Sequence, residues 1–226
     1  MSLELLESRT FFAVTMEETY PGFHHIYGDE NANEIIVKIA PDAQSFTMNG
    51  IAGGVAYYVW IHGYGGDDNI RVSGPKGGLA GATIAAGDGN DFVSLNFDGG
   101  IWGGTGNDYI MLRDAFRGVA NGEEGDDSIY VGGATVEAEI RGGDGDDWID
   151  CSANTSSVTV FGGYGNDVLI GSRFDDQLFG EEGQDELFGL SGYDYLHGGE
   201  YVSGGDGEDT SVGTPPEGTY GIEYIL

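Results

Sequence analysis

The sequence predicts an all-β fold, a right-handed parallel β-roll in which short strands coil into a solenoid with irregular capping ends. Three observations lead to this prediction. A motif rich in glycine and aspartate recurs along most of the chain, an apolar residue follows each copy at a fixed distance, and a second row of apolar residues precedes each early copy. An internal repeat of this kind indicates stacked units that share one continuous core.

The repeated motif is nine residues long and strongly acidic. In GGDGDDWID at 142–150, the first six positions hold three glycines and three aspartates. Further copies begin at positions 63, 86, 103, 122, 162, 171, 180, 189 and 204, and a degenerate copy with Asn33 at its sixth position spans 28–36. Because like charges repel and glycine makes a backbone costly to order, such a segment requires something that neutralises the carboxylates.

The sixth position is an aspartate in every complete copy, and we expect these side chains to be metal ligands. They are Asp68, Asp91, Asp108, Asp127, Asp147, Asp167, Asp176, Asp185, Asp194 and Asp209. Glycines that permit φ > 0 and a tight turn complete the predicted site. They are Gly65, Gly87, Gly89, Gly104, Gly106, Gly125, Gly143, Gly145, Gly163, Gly165, Gly183, Gly205 and Gly207. Turns of this kind aim carbonyl oxygens inward, and carbonyl and carboxylate oxygens are the ligands that Ca²⁺ prefers.

The motif G-G-x-G-x-D-x-U-x resembles the calcium-binding nonapeptide of the RTX family over roughly residues 63–212. The resemblance implies several bound Ca²⁺ ions, with one turn supplying part of each coordination shell and the turn stacked on it supplying the rest. It also implies a secreted protein, with type I secretion as one route.

The spacing of the aspartates predicts two unequal metal-binding edges. Successive aspartates are 17–23 residues apart up to Asp167 and nine apart from there to Asp194. In the first region only one turn of each coil carries the motif, whereas in the second both turns carry it. We therefore expect one long ladder of the turns 63–68, 86–91, 103–108, 122–127, 142–147, 162–167 and 180–185, and a short one of 171–176 and 189–194. The intervening turns, such as SANTSS at 152–157, should bind no metal.

Apolar residues at period two predict two sheets around a thin core. The eighth positions are Ile70, Val93, Ile110, Ile129, Ile149, Leu169, Leu178, Leu187 and Leu196. The next inward residues of the early copies are Val72, Leu95, Leu112, Val131 and Cys151. The second row, expected in the opposite sheet, is Ile61, Ile84, Ile101, Ala120, Ile140 and Val160.

Three regions are expected along the chain. Residues 1–62 form an N-terminal cap with the degenerate first repeat, and 63–212 form the calcium-binding roll. Residues 213–226 form either a C-terminal cap or a tail similar to the C-terminal signal of type I secreted proteins. A solenoid needs covered ends because open sheet edges invite pairing with other chains.

Composition excludes several classes of function. With 8 Lys and Arg against 39 Asp and Glu, the formal charge is −31, which is unsuited to nucleic acid and to anionic membranes. The longest apolar stretch, at 51–61, is too short and too glycine-rich for membrane insertion. One cysteine allows no intramolecular disulfide, and the first residues lack the pattern of a cleavable signal peptide.

The remaining reactive side chains predict no catalytic site and no organic cofactor. His24 and His25 lack partners at metal-ligand spacing and are interpreted as loop residues, His62 and His197 fall at outward positions, and Cys151 reads as a buried apolar residue. The chain has no H-E-x-x-H motif. Its many paired carboxylates are explained by calcium, so they do not indicate a glycosidase.

Outward-facing apolar residues of the first sheet predict a contact surface, because a contiguous exposed strip usually marks an interface. The strip is expected to consist of Phe92, Tyr109, Met111, Tyr130, Trp148 and Ile170. The four aromatic rings should form one row, with Met111 and Ile170 beside it. The strip should continue through Val168 toward Phe179 and Phe188. The possible partners are a second copy, another domain or a polysaccharide. The alternative is that the chain's own termini cover the strip.

These patterns favour a non-enzymatic extracellular module that folds on binding Ca²⁺ and serves as a scaffold, adhesion or presentation module. One alternative is a polysaccharide lyase or epimerase, or its accessory module, since parallel solenoids host such enzymes. The scattered basic residues form no cluster to hold a polyanion. A less favoured alternative is ice binding, for which the variable outward turn positions are a poor lattice.

Overall fold

The computed structural model describes residues 14–40, 45–52, 56–75, 81–212 and 224–225, and within these ranges the secondary structure is entirely β. In chain order the strands are β1 (Thr15–Tyr20), β2 (Phe23–Tyr27), β3 (Glu34–Ile39), β4 (Phe46–Met48), β5 (Ile51–Ala52), β6 (Tyr58–Gly65), β7 (Asn69–Ser73), β8 (Gly81–Asp88), β9 (Phe92–Leu95), β10 (Gly99–Thr105), β11 (Tyr109–Arg113), β12 (Val119–Glu124), β13 (Ser128–Gly133), β14 (Glu139–Asp144), β15 (Trp148–Asn154), β16 (Thr159–Tyr164), β17 (Val168–Ile170), β18 (Gln177–Glu182), β19 (Glu186–Ser191), β20 (Tyr195–His197), β21 (Tyr201–Asp206), β22 (Thr210–Val212) and β23 (Tyr224–Ile225). No helix in the described ranges could cross a membrane.

The strands form two sheets, and successive strands of the solenoid alternate between them. Sheet A has the order β1-β2-β6-β8-β10-β12-β14-β16-β18-β20-β22-β23, and sheet B has the order β21-β19-β17-β15-β13-β11-β9-β7-β3-β4-β5. Pairing along the stack is parallel, as between β10 and β12 or between β11 and β13. The predicted parallel β-solenoid is therefore confirmed.

The core is the pair of apolar ladders expected from the sequence. In sheet B, Ile110 pairs with Val93 on one side and with Ile129 on the other. In sheet A, Ile101 lies between Ile84 and Ala120. All six side chains are fully buried. Each coil therefore adds one layer to a continuous apolar core, which stabilises the stack by removing that surface from water.

The change of period from about 20 residues to nine keeps both ladders continuous. Val160 of β16 pairs with Leu178 of β18, and Leu178 pairs with Leu196 of β20, so all three lie in sheet A. Leu187, midway in sequence between the last two, pairs with Leu169 in sheet B. Two nonapeptides therefore complete one coil, as their summed length predicted.

The N-terminal part of the stack begins before residue 63. Strands β2 and β3 pair in parallel with β6 and β7, so residues 23–39 already form a coil of the solenoid. Beyond this coil the pairing becomes antiparallel, through β1 in sheet A and through β4 and β5 in sheet B. Antiparallel strands at both N-terminal edges end the regular stack.

One prediction about the N-terminal end was wrong, and the prediction about the C-terminal tail is not tested. The placement of His24 and His25 in a loop was wrong, because both lie in β2, with His24 buried against Phe46 and His25 on the outer face. At the C-terminal end, β23 pairs in parallel with β22. Residues 1–13, 213–223 and 226 lie outside the described residues, so the two interpretations of the tail both stay predictions.

Candidate metal centre

The turns that lead from sheet A to sheet B form one edge of the solenoid, here called the long edge. Its sixth-position aspartates are stacked in a hydrogen-bonded ladder. The backbone N–H of each aspartate donates to Oδ1 of the aspartate in the following turn, at 2.7–3.0 Å. The ladder contains Asp68, Asp91, Asp108, Asp127, Asp147, Asp167 and Asp185. These are the aspartates that the predicted long ladder assigned to one side.

Each of these carboxylates has a second oxygen, Oδ2, that is buried and has no hydrogen-bond partner among the described residues. The side chains themselves are at most 3% exposed. Oδ2 points toward the α-carbon of the first residue of its own turn, so that a β-carbon at Gly103 or Gly142 would collide with Asp108 or Asp147, respectively. A buried anionic oxygen without a partner is costly, and a row of such oxygens is suited to binding cations.

Burial makes these carboxylates reluctant to ionise in the protein without metal. It raises the pKa of Asp108 and of Asp147 to about 8, and neighbouring ladder carboxylates such as Asp127 add to both shifts. Burial also raises the pKa of Asp127 to about 7 and that of Asp68, Asp91 and Asp167 to about 6, and it raises the pKa of Asp185. A divalent cation beside Oδ2 would reverse this effect, because an opposite charge favours the ionised form.

Glycines at the second and fourth positions of each turn bring backbone carbonyls into the same space. Gly104 and Gly106 have φ of 119° and 113°, and a β-carbon on either would collide with the carbonyl oxygen of Gly87 or Gly89 in the preceding turn. Tyr64, Glu123, Glu181 and Leu190 also adopt a positive φ at the second position, whereas Ser172 of the turn 171–176 does not. The positive φ is therefore a property of most turns of the repeat.

One of the predicted glycines was misplaced. In the turn 63–68 the fourth position is Gly66, with φ of 89°, whereas Gly65 lies at the third position and pairs with Asp88. The extra glycine in GYGGDD obscured the register. The other predicted glycines all have positive φ at the second or fourth position.

The donor set of the long edge suits a hard cation. In the described ranges, no three His, Cys, Asp or Glu side chains converge on one point, so a cation there would need backbone carbonyls as well as the ladder carboxylates. All available donors are oxygen, and Ca²⁺ takes six to eight oxygen ligands in a flexible shell. The buried Oδ2 atoms and the carbonyls opposite the glycines therefore fit Ca²⁺ between stacked turns.

The opposite edge, here called the short edge, holds a second ladder. The N–H of Asp176 donates to Oδ1 of Asp194 at 2.8 Å, and that of Asp194 to Oδ1 of Asp209 at 2.9 Å. The predicted short ladder of Asp176 and Asp194 therefore includes Asp209 as well. Oδ2 of Asp194 and of Asp209 lacks a partner among the described residues, as on the long edge.

Asp176 differs from the other ladder aspartates because its carboxylate is satisfied within the protein. Oδ2 accepts from the backbone N–H of Ser172, and Oδ1 accepts from the Ser172 hydroxyl and from the N–H of Val158. Its turn, GSRFDD, has serine and phenylalanine at the positions that glycine occupies elsewhere. Asp176 is thus the predicted ligand with the least free coordination capacity.

The intervening turn 152–157, on the side of the short edge, is filled by the side chain of Asn154. Asn154 is 4% exposed, and its amide nitrogen donates to the carbonyls of Thr135 and Ser156 at 2.9 and 2.8 Å. Its Oδ1 accepts from the N–H of Thr135. A side-chain amide therefore fills the centre of this turn, which supports the prediction that it binds no metal.

The long edge also carries an outer ladder of hydrogen bonds, which sequence reasoning missed. At the fifth position of each turn, an exposed side-chain oxygen accepts from the backbone N–H of the following turn, as from Asn107 to Asn90 at 2.8 Å and from Asp146 to Asp126 at 2.9 Å. This outer ladder runs in the opposite direction to the inner one. The signal was visible, since the fifth position of most copies is Asp or Asn.

The predicted aromatic strip lies on the outer face of sheet B, but it is not one row. Phe92 stacks on Tyr109 with centroids 5.3 Å apart, and Tyr109 stacks diagonally on Tyr130 at 5.0 Å. Strand pairing places Tyr130 in the row of Met111, whereas Ser128 lies between Tyr109 and Trp148.

The strip also ends differently from the prediction. Asp150 separates Tyr130 from Ile170, which pairs with Phe188. Phe179 lies in sheet A, stacked on Phe161, because it belongs to a nonapeptide on the other edge. Tyr109 and Trp148 are 37% and 43% exposed, so the described residues leave the strip open.

A larger aromatic cluster on the outer face of sheet A was also missed. Nδ1 of His25 lies 3.4 Å from Nε2 of His62, and the rings of His25 and Trp60 stack with centroids 4.9 Å apart. Burial and the adjacent His25 lower the pKa of His62. Period-two alternation of rings in FHHIY and YVWIHGY was the available signal. His62 is on the outer face as predicted, and Cys151 is buried in the core, where burial raises the pKa of its thiol.

Comparison with known proteins agrees with this geometry. The family model for the RTX calcium-binding nonapeptide repeat matches four copies, at residues 101–113, 139–150 and 161–196. These segments contain Asp108, Asp147, Asp167, Asp176, Asp185 and Asp194. No curated protein matches the chain.

Proposed function

The chain is a calcium-binding β-roll that carries RTX nonapeptide repeats, and from this premise we propose that it is an extracellular module whose folding is driven by Ca²⁺. Proteins with this repeat are typically secreted. The observation that carries the proposal is the row of buried Oδ2 atoms on the long edge, which lack partners in the described residues.

The charge of the ladder explains why folding would depend on calcium. Without a cation, stacking the turns buries carboxylates whose pKa lies well above its ordinary value, so ordering the long edge requires either protonation or disruption. When bound, Ca²⁺ supplies positive charge between adjacent turns. The ladder aspartates would then contribute Oδ2, the second- and fourth-position residues would contribute carbonyls, and the glycines leave the space open.

The energetic scale is sufficient for such coupling. A site filled at about 100 times its Kd adds about 2.7 kcal/mol of stability. A few filled sites would then equal the whole of a typical folding free energy of ~5–15 kcal/mol. In a cytosol poor in calcium the chain, with its charge of −31, would stay expanded, and outside the cell it would fold.

Circular dichroism in chelator and in millimolar Ca²⁺ tests this proposal. The chelated protein should lack most of its β signal, and Ca²⁺ should restore it cooperatively. Mg²⁺ should substitute poorly, because it requires a smaller octahedral shell and gives up water reluctantly. Full β content and an unchanged melting temperature in chelator would contradict calcium-driven folding.

We further propose that the folded module presents its aromatic strip as a contact surface, in a scaffold or adhesion role. The strip supports this because Tyr109 and Trp148 are more than one-third exposed on an otherwise acidic protein. Arg71 lies over the ring of Phe92 at 4.8 Å and extends the stack at one end. The first residues of the chain that could cover the strip are outside the described ranges, so solution measurements decide the role.

A further inference from the structure

The first turn of the long edge, residues 28–33, repeats the ladder geometry without repeating its chemistry. The N–H of Asn33 donates to Oδ1 of Asp68 at 2.6 Å, as each ladder aspartate does to the next. Glu34, directly after it, pairs with Asn69 in the register of the later coils. Asn33 is 3% exposed, so it occupies the buried sixth position in full.

Nδ2 of Asn33 donates hydrogen bonds where the aspartates present a bare Oδ2, whereas Oδ1 of Asn33 is buried and has no partner among the described residues. Its Nδ2 donates to the carbonyl of Asn31 and to Oδ1 of Asp68, the latter at 3.1 Å, and lies 3.4 Å from the carbonyl of Asp29. The neighbours of Nδ2 are all acceptors, so the opposite orientation of the amide would place its oxygen against a carboxylate. The hydrogen-bonding network therefore determines the orientation.

The acceptors of this amide correspond to the oxygens that fit Ca²⁺ in the later turns. Asp29 and Asn31 are the second and fourth residues of their turn, equivalent to Gly87 and Gly89 of the turn 86–91. The carbonyls of Gly87 and Gly89 face the next turn's glycines. In the first turn the corresponding carbonyl of Asn31 is instead bound to the Asn33 amide.

From this we infer that Asn33 is a built-in end stop of the calcium ladder, whose amide N–H groups take the place of a cation between the turns 28–33 and 63–68. The inference rests on the proposed calcium-driven function. Of the two sixth-position residues that border this interval, only Asp68 carries a carboxylate, and the N–H groups of the Asn33 amide would repel a cation. The ladder is thereby closed at its N-terminal end without an ion exposed there. Six intervals, between Asp68 and Asp185, remain for Ca²⁺ on the long edge.

The test is the number of tightly bound Ca²⁺ ions, counted by equilibrium dialysis and atomic emission for the full chain. Asn33→Asp places a second carboxylate in the interval and should bind one ion more than wild type. Asn121→Asp adds the same charge on the outer face of sheet A and should bind the same number as wild type. Asn33→Ala removes the amide without adding a ligand, so its count should also be unchanged.

The outcomes separate this inference from the function on which it rests. Loss of one ion in Asn33→Ala would identify Asn33 as a ligand and overturn the inference. A folded Asn33→Asp variant with the wild-type count would overturn it too. If Asn33→Asp does not fold, Asn33→Ala decides alone. A wild-type protein that binds no Ca²⁺ would instead overturn the proposed function, and the end stop with it.

Discussion

Asp147 and Asp167 lie one coil apart and share a single hydrogen bond, from the N–H of Asp147 to Oδ1 of Asp167 at 2.9 Å. Oδ2 of both residues is buried and lacks a partner within the described part of the chain. In each of the two carboxylates, Oδ1 accepts a hydrogen bond from the preceding turn, whereas Oδ2 is left without one among the described residues.

Asp147→Asn should lose bound calcium and destabilise the middle of the roll. The side chain lies between two intervals, toward Asp127 and toward Asp167, so the substitution weakens two sites. With each filled site contributing about 2.7 kcal/mol at about 100 times its Kd, the melting temperature in Ca²⁺ should fall strongly. Calcium titration and thermal unfolding measure both effects.

Asn154→Ala is the control for the opposite edge. It removes an amide that binds two carbonyls, so it should lower stability by about 1–3 kcal/mol while leaving the calcium count unchanged. Equal calcium loss in the two variants would contradict the assignment of metal to the long edge only in this part of the chain.

Stability and calcium affinity should respond to pH in opposite directions. In the metal-free protein, burial raises the pKa of Asp108 and Asp147 to about 8, above the unfolded value of about 3.9. The folded state then binds more protons than the unfolded state. The stabilisation that these two groups contribute is therefore complete below pH 4 and is lost as the pH rises to about 8. Circular dichroism of resin-stripped protein should therefore show more β signal at pH 5 than at pH 8.

To bind at the carboxylates of Asp108 and Asp147, Ca²⁺ must displace the proton that each of them holds below its raised pKa. Its affinity should therefore fall as pH drops from 8 to 6, by about tenfold or more if one such proton is released. Calorimetric titration at the two values measures this, with proton release read from buffers of different ionisation enthalpy. Equal affinities at pH 6 and 8 would show that the ladder carboxylates are ionised without metal.

Glu123→Gly should be less destabilising than Glu124→Gly, although the two variants lose the same charge. Glu123 has φ of 81°, a left-handed conformation that costs a non-glycine residue about 1–2 kcal/mol. Glycine relieves this cost at 123, whereas at 124 it only increases the entropy lost on folding, by roughly 0.5–1 kcal/mol. Urea unfolding in saturating Ca²⁺ should separate the variants by about 1–2 kcal/mol. The reverse order would mean that the second-position conformation carries no strain.

Tyr109→Ser combined with Trp148→Ser should abolish contacts of the aromatic strip while preserving calcium-dependent folding. Both side chains are exposed on sheet B, so their removal costs little core packing. Phe161→Ser with Phe179→Ser, a stacked pair on the other sheet, is the control. Sedimentation velocity in Ca²⁺ and a glycan array are the measurements. A wild-type protein that is monomeric and retains no glycan would remove the support for a contact surface.

The repeat determined the solenoid, its two sheets and the edge to which each aspartate up to Asp194 belongs, because these follow from periods of two residues within strands and of nine or about twenty between them. Asp91 and Asp108 could be placed together by counting, and Ile110 could be placed in the core. Sequence reasoning also identified the degenerate copy at 28–36.

Only the tertiary structure decided which side chains meet between coils. Counting gives Phe92 and Ser128 as the neighbours of Tyr109 in its own row, but it does not show that the Tyr109 ring also stacks on Tyr130 in the adjacent row. The contact of His25 with His62 depends on the same register. The amide of Asn33 and the hydroxyl of Ser172 close their turns through hydrogen bonds that depend on atomic positions. Stacking brings together residues that are distant in sequence, and the direction of each side chain is set by the coil above and below it.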